Sequence, residues 1–198
     1  MVVFGITGGS GSGKTSVSKM LEKLGVHIID TDVIAHEIVE PNSDCLNELV
    51  DYFGDSILND DKTLNRKKLA SIAFSDKLKT EALSNITHKY IKAEVVKDIN
   101  TTDAELVGID GAVIIGSNVE PLCGFIVSVI ADKQSRITRI KTRDNITDEQ
   151  AIQRINAQND DEFYKENSMY IIYNNGDIAQ LESDVVGLFN KIKGNSFE

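Results

Sequence analysis

The sequence predicts an α/β protein: a five-stranded parallel sheet in a three-layer arrangement with helices, a helical subdomain inserted after the second strand, and a helical hairpin before the last. Three observations carry that prediction. Short apolar, β-branched runs alternate with segments of helical periodicity, the pattern of βαβ units. The runs are apolar at successive positions rather than at every second one, as strands covered on both faces require. A chain of 198 residues, 41% hydrophobic and 26% charged with two prolines, suits one folded domain and excludes a disordered or collagenous chain.

Val2 to Thr7 reads as the first strand, and a helix follows with Val17, Met20, Leu21 and Leu24 at three- to four-residue spacing. Gly25 stops that helix, and Val26 to Asp30 is the second strand. From Val33 to about Thr102 the pattern is mostly helical, with a turn-rich stretch at Asp55 to Lys62. Strand signatures resume at Leu106 to Asp110, Gly124 to Ala131 and Tyr170 to Tyr173. Between the last two, a basic segment from Lys133 to Arg143 and a helical pattern from Thr147 to about Phe163 form the hairpin. A closing helix, Ile178 to Ile192, carries Leu181, Val185, Leu188 and Ile192 on one face, and Gly194 to Glu198 is expected to fray. The core is thus expected at 1–31, 104–132 and 164–193, the insert at 32–103 and the hairpin at 133–163.

Charge narrows the partners. Twenty-one Lys and Arg against 31 Asp and Glu give a formal charge of -10, which opposes unselective attraction to nucleic acid or anionic lipid. No stretch approaches the roughly 20 apolar residues of a membrane span, and the expectation is a cytoplasmic protein without nucleic-acid or membrane partners. Cys45 and Cys123 have no neighbouring His or Cys at zinc-ligand spacing and are expected as reduced thiols.

Gly8-Gly9-Ser10-Gly11-Ser12-Gly13-Lys14-Thr15 fits G-x-x-x-x-G-K-[ST] directly after a strand and directly before a helix. Phosphate oxygens need several donors converging on a small volume. A loop wrapped into a nest points its backbone N–H groups inward at the positive end of a helix dipole. The site expected is therefore Gly9, Ser10, Gly11, Ser12, Gly13, Lys14, Thr15 and Ser16 around ATP, with the Lys14 ammonium on the β- and γ-phosphates and the Thr15 hydroxyl on Mg2+. The motif in this context predicts a P-loop NTPase fold.

Which P-loop chemistry follows depends on other residues. Asp32, just past the second strand, suits a base that takes the proton of an acceptor hydroxyl, or equally an N-cap for the helix that begins there, and Asp30 competes for the first role. Asp110, ending the third strand, is a candidate for ordering Mg2+. Lys133, Arg136, Arg139, Lys141 and Arg143 are five cations in eleven residues with no acid among them. At about 100° per residue, Arg136, Arg139 and Arg143 share a stripe roughly 60° wide that could close over a triphosphate as a lid, or be balanced by Asp160, Asp161 and Glu162.

With these residues in place the chain resembles the dephospho-CoA kinase family over almost its whole length. The opening Gly5 to Thr15, the block Ile29-Asp30-Thr31-Asp32-Val33-Ile34-Ala35-His36 with Val39-Glu40-Pro41, then Tyr52-Phe53-Gly54, Leu64-Asn65-Arg66, His88, Arg139 with Arg143, Arg154-Ile155 with Gln158, and Asn174-Asn175-Gly176 fall in the family's order. The resemblance implies ATP-dependent phosphorylation of the ribose 3'-hydroxyl of dephospho-CoA. It makes Asp32 the catalytic base, with Lys14 and Arg139 also catalytic, and Arg139 and Arg143 lid residues over the nucleotide. Arg66 and His88 are then expected to contact or support the acceptor in a CoA-binding insert, and a monomer or a small homo-oligomer is expected. The chain departs from the family where Asp110-Gly111-Ala112-Val113-Ile114-Ile115-Gly116 lacks a proline and a terminal glutamate, and where Lys89 follows His88 in place of proline. Two other readings fit a P-loop: a nucleoside or nucleotide kinase, and an ATP-binding regulatory protein without transferase activity.

Overall fold

The structure, a computed structural model, describes residues 1–195. The strands are β1 (Val2–Thr7), β2 (His27–Asp30), β3 (Leu106–Asp110), β4 (Phe125–Ile130) and β5 (Tyr170–Tyr173). The helices are α1 (Lys14–Lys23), α2 (Thr31–Glu37), α3 (Asp44–Phe53), α4 (Arg66–Ala73), α5 (Lys77–Thr101), α6 (Lys133–Asp144), α7 (Asp148–Asn156), α8 (Asp161–Glu166) and α9 (Ile178–Asn195). Contacts divide the chain into two compact units, Met1–Ile29 with Thr102–Glu198, and Asp30–Thr101.

The first unit is built on a parallel sheet in the order β2-β3-β1-β4-β5. β1 is central, and strand order departs from it in both directions, the switch point at which open α/β sheets bind ligands. Its side chains divide between two faces. Phe4 and Ile6 join Val127 and Val129 of β4, Val17 and Leu21 of α1, and Leu181, Val185, Leu188 and Ile192 of α9 in one core cluster. On the other face Gly5 leaves room for Ile114 and Ile126, whose methyls stand 2.9 Å or less from where its Cβ would be. Both faces are thus filled, which explains the unbroken apolar runs. Register then sets the site: Ile6 lies opposite Asp110 of β3 and Val127 of β4, so the chain after Thr7 leaves the sheet beside the end of β3.

The expected closing helix forms and continues through Gly194 and Asn195, so the expected fraying does not begin at Gly194; residues 196–198 lie outside the described residues. The segment expected as one helical pattern from Thr147 to Phe163 is two helices. Asp160 accepts the Phe163 amide at 2.9 Å and so starts α8 as an N-cap, which ends any continuous ladder.

The second unit has its own core, in which Ile38, Val39, Cys45, Leu49, Ile57, Leu69 and Ile86 are buried together. Its helices start on capping side chains: Asp30 for α2, Ser43 for α3 and Asn65 for α4. The turn-rich stretch holds a 3-10 turn at Asp55–Ile57 and an isolated antiparallel bridge between Leu58 and Leu64.

Candidate active site

The glycine-rich segment occupies residues 8–13 between β1 and α1. Gly13 caps α1 with φ 97°, ψ 18°, a left-handed conformation that an L side chain adopts at a cost, and a Cβ there would collide with the Asn174 amide. The amides of Ser16 and Val17 both donate to the Gly13 carbonyl, at 2.9 and 3.2 Å, so those of Lys14 and Thr15 stand ahead of the helical ladder at its positive end.

Three consecutive loop carbonyls are held from outside. Arg136 Nε donates to Ser10 O at 2.9 Å, Arg139 Nη1 donates to Gly11 O and Ser12 O at 3.2 Å each, and Asn174 Nδ2 donates to Ser12 O at 2.7 Å. Carbonyls turned outward leave the loop interior to N–H groups, the electrostatic character an anion site needs. Ser12 Oγ is buried without a hydrogen-bond partner, a polar atom whose satisfaction a bound phosphate would supply.

Lys14 forms an ion pair with Asp110, which is only 3% exposed. The register of β3 against β1 makes that pair possible, and the Gly111 amide donates to Ile6 O at 3.1 Å beside it. Thr15 and Ser16 are exposed in the first turn of α1. Among the described residues no three His, Cys, Asp or Glu side chains form a metal cluster. The Thr15 hydroxyl and the Asp110 carboxylate offer hard oxygen donors of the kind Mg2+ takes, one or two from the protein with phosphates and water completing its shell.

The basic stripe divides. Arg139 also donates through Nη2 to the carbonyl and the side-chain oxygen of Asn174, at 3.0 and 3.3 Å, which seats it on the loop. Arg143 is four residues further along α6 and turns elsewhere: its Nε and Nη2 grip Asp144 at 2.7 and 2.8 Å, and Arg154 pairs with the same carboxylate. Those guanidiniums, Arg143 first, pull the Asp144 carboxyl down to about 2. Burial raises the Tyr164 phenol, which lines a cavity of about 200 Å³ with Thr7, Val113, Ile115, Gln158 and Phe163.

In the unit formed by Asp30–Thr101, the capping question is decided. Asp30 Oδ1 accepts the amides of Asp32 and Val33 at 2.8 and 3.1 Å, so Asp30 is the N-cap of α2 and the Asp32 carboxylate is left exposed in the first helical turn. The N-cap reading of Asp32 is thereby corrected. Arg66 opens α4 behind its cap Asn65, and its Nη2 lies 2.9 Å from His36 Nδ1. His88 is half-buried in the middle of the 25-residue α5, where a side chain cannot cap.

The profile of the dephospho-CoA kinase family matches residues 2–180 of the chain. This chain belongs to that family. A dephospho-CoA kinase of Lactobacillus johnsonii is 34% identical over 191 residues, covering 95% of this chain and 96% of that one. A solved dephospho-CoA kinase from Campylobacter jejuni superposes with a TM-score of 0.70 at 26% identity, covering 98% of both chains. A crystal structure from Thermus thermophilus shares the fold with a TM-score of 0.84 at 24% identity, over 96% of this chain and 97% of that one.

At the turn after β3, where the resemblance implies a terminal glutamate and the chain has Gly116, Glu120 Oε2 accepts the Gly116 amide at 2.6 Å. Arg136, Gln158 and Asn174 contact the loop although none belongs to the glycine-rich motif, and of the three only Arg136 is expected near the triphosphate from the sequence, as part of the basic stripe. For Asn174 and Gln158 the signal was present, since both occur in the blocks that match the family, but nothing in their spacing tells which main-chain atom they face.

Proposed function

We propose that this chain transfers the γ-phosphoryl group of ATP to the ribose 3'-hydroxyl of dephospho-CoA, giving coenzyme A and ADP in the cytoplasm. Family membership supports the reaction, and the single structural observation that carries it is the loop whose carbonyls at Ser10, Gly11 and Ser12 are all held outward. The amides of Gly11, Gly13, Lys14 and Thr15 bind the phosphates, that of Ser12 being used on Gly9 O. Lys14 leaves Asp110 for the β- and γ-phosphate oxygens, and Arg139, already on the loop, neutralises charge that develops on the transferring group. Asp32 takes the proton of the 3'-hydroxyl. The deprotonated 3'-oxygen then bonds to the γ-phosphorus as the bridge to the β-phosphate breaks and ADP leaves. Arg66 and His88 hold the acceptor. Thr15 and Asp110 would hold Mg2+, which when bound screens the phosphate charges.

The experiment is ADP release measured with dephospho-CoA beside a panel of nucleosides and nucleotides. Turnover with dephospho-CoA at least about a hundredfold above every other acceptor is expected, well within the roughly 10⁴-fold by which a site built to hydrogen-bond its substrate rejects analogues lacking the bonded group. Comparable turnover with a nucleoside, or ATP binding without acceptor-dependent ADP release, would overturn the assignment.

A further inference from the structure

We propose that Gln158 and Arg136 are positioning residues of the transfer: they hold the phosphate loop in its anion-binding shape through the main chain of Ser10 and make that shape depend on the helical hairpin. The inference rests on the reading of the loop as the ATP cradle.

Ser10 is held by both of its main-chain groups. Its amide donates to Gln158 Oε1 at 2.7 Å and its carbonyl accepts Arg136 Nε at 2.9 Å. Arg136 Nη2 reaches the same Gln158 oxygen at 3.4 Å, so the three residues close a ring. Arg136 is 5% exposed, and a guanidinium is buried to that degree only where its donors are used and its charge is met. Asp161, the first residue of α8, meets it at 3.6 Å. The ring also explains Gly9, where a Cβ would stand 2.9 Å from Arg136 Cζ, so the guanidinium can lie against the loop only if that position carries no side chain. Arg136 comes from the first turns of α6, Gln158 from the link between α7 and α8, and Asp161 from α8. Two parts of the hairpin segment thus meet on Ser10, and a third, Asp161, meets the arginine that does so.

Two consequences follow. The Ser10 amide, expected among the phosphate donors, is spent on Gln158 and that of Ser12 on Gly9 O at 3.0 Å, so the donors left to the anion are the amides of Gly11, Gly13, Lys14 and Thr15. The loop also meets its ligand already shaped, so binding does not have to order it first. Neither Gln158 nor Arg136 touches the phosphate; both act through Ser10.

The test uses Gln158→Ala, Gln158→Glu and Arg136→Lys in the full chain. Readouts are MgATP affinity titrated without acceptor, kcat and KM for each substrate, and Tm. Gln158→Ala is expected to weaken MgATP binding roughly fivefold to tenfold, the scale of one net hydrogen bond, while the KM for dephospho-CoA stays within about twofold. Gln158→Glu keeps an oxygen for the Ser10 amide and is expected within about twofold of wild type. Arg136→Lys is expected to weaken MgATP binding, and the double variant Gln158→Ala/Arg136→Lys to lose less than the sum of the single effects, because both act on one residue. Wild-type MgATP affinity in Gln158→Ala, or equal losses for both substrates that track a fall in Tm, would overturn the proposal and leave a packing role only. Since affinity is read without acceptor, a wild-type protein that binds MgATP but does not phosphorylate dephospho-CoA would sink the transfer assignment while leaving this inference standing; one that does not bind MgATP would sink both.

Discussion

At the scale of single residues, the site separates groups that act by charge from groups that act by absence. Asp32 belongs to the first kind. Its neighbour Asp30 satisfies the helix start, so the Asp32 carboxylate is free of capping work, and Asp32→Asn should leave α2 and MgATP affinity unchanged. Turnover is expected to drop by about 10²- to 10⁴-fold, the contribution of a positioned base, which steady-state kinetics with dephospho-CoA would read. A retained rate would remove the residue from the chemistry. Gly13 belongs to the second kind. At φ 97° and against Asn174, an added methyl costs about 1–3 kcal/mol of strain, so Gly13→Ala should weaken MgATP binding by roughly 5- to 150-fold in a direct titration.

At the scale of elements, the hairpin of α6 and α7 shows how helix ends carry charge. Thr147 and Gln150 form a reciprocal capping box at the start of α7, and the end of α6 places Asp144 between Arg143 and Arg154. The Asp144 carboxyl is depressed to about 2, below its unfolded range near 4. For such a group the stabilising contribution is complete above the unfolded value and disappears as pH falls through the folded one. Asp144→Asn should therefore melt below wild type at neutral pH, and the gap should close between about pH 4 and pH 2, with high salt shrinking it throughout because the network is exposed. A gap that persists at pH 2 would mean that Asp144 acts through something other than its charge.

For the whole molecule, ligand binding is the measurable link between site and stability. A ligand that binds only the folded state at a hundred times its Kd adds about 2.7 kcal/mol, and for a chain of this size that is roughly 5–10 °C in Tm. MgATP is expected to produce that shift in wild type and little or none in Lys14→Ala, as thermal denaturation would show; an equal shift in both would place the nucleotide away from this loop. With a net charge of -10, the molecule attracts a polyphosphate only through local donors, so the response should depend on the loop rather than on bulk charge.

Much was legible from the chain itself because it is written in local terms. A strand's apolar run, the glycines that permit a tight loop and the Lys-Thr pair that follows depend on neighbours within a few residues, so the order of strands and helices and the identity of the phosphate loop could be read directly. Residues separated by more than a hundred positions are a different matter. Helical spacing put Arg136, Arg139 and Arg143 on one stripe, yet one is buried on Ser10, one is seated on Gly11 and Ser12, and one is bound to Asp144. Periodicity reports which side chains share a face; only the packed chain decides what that face meets, because a hydrogen bond takes its partner from whatever the sheet register and the helix ends bring within reach.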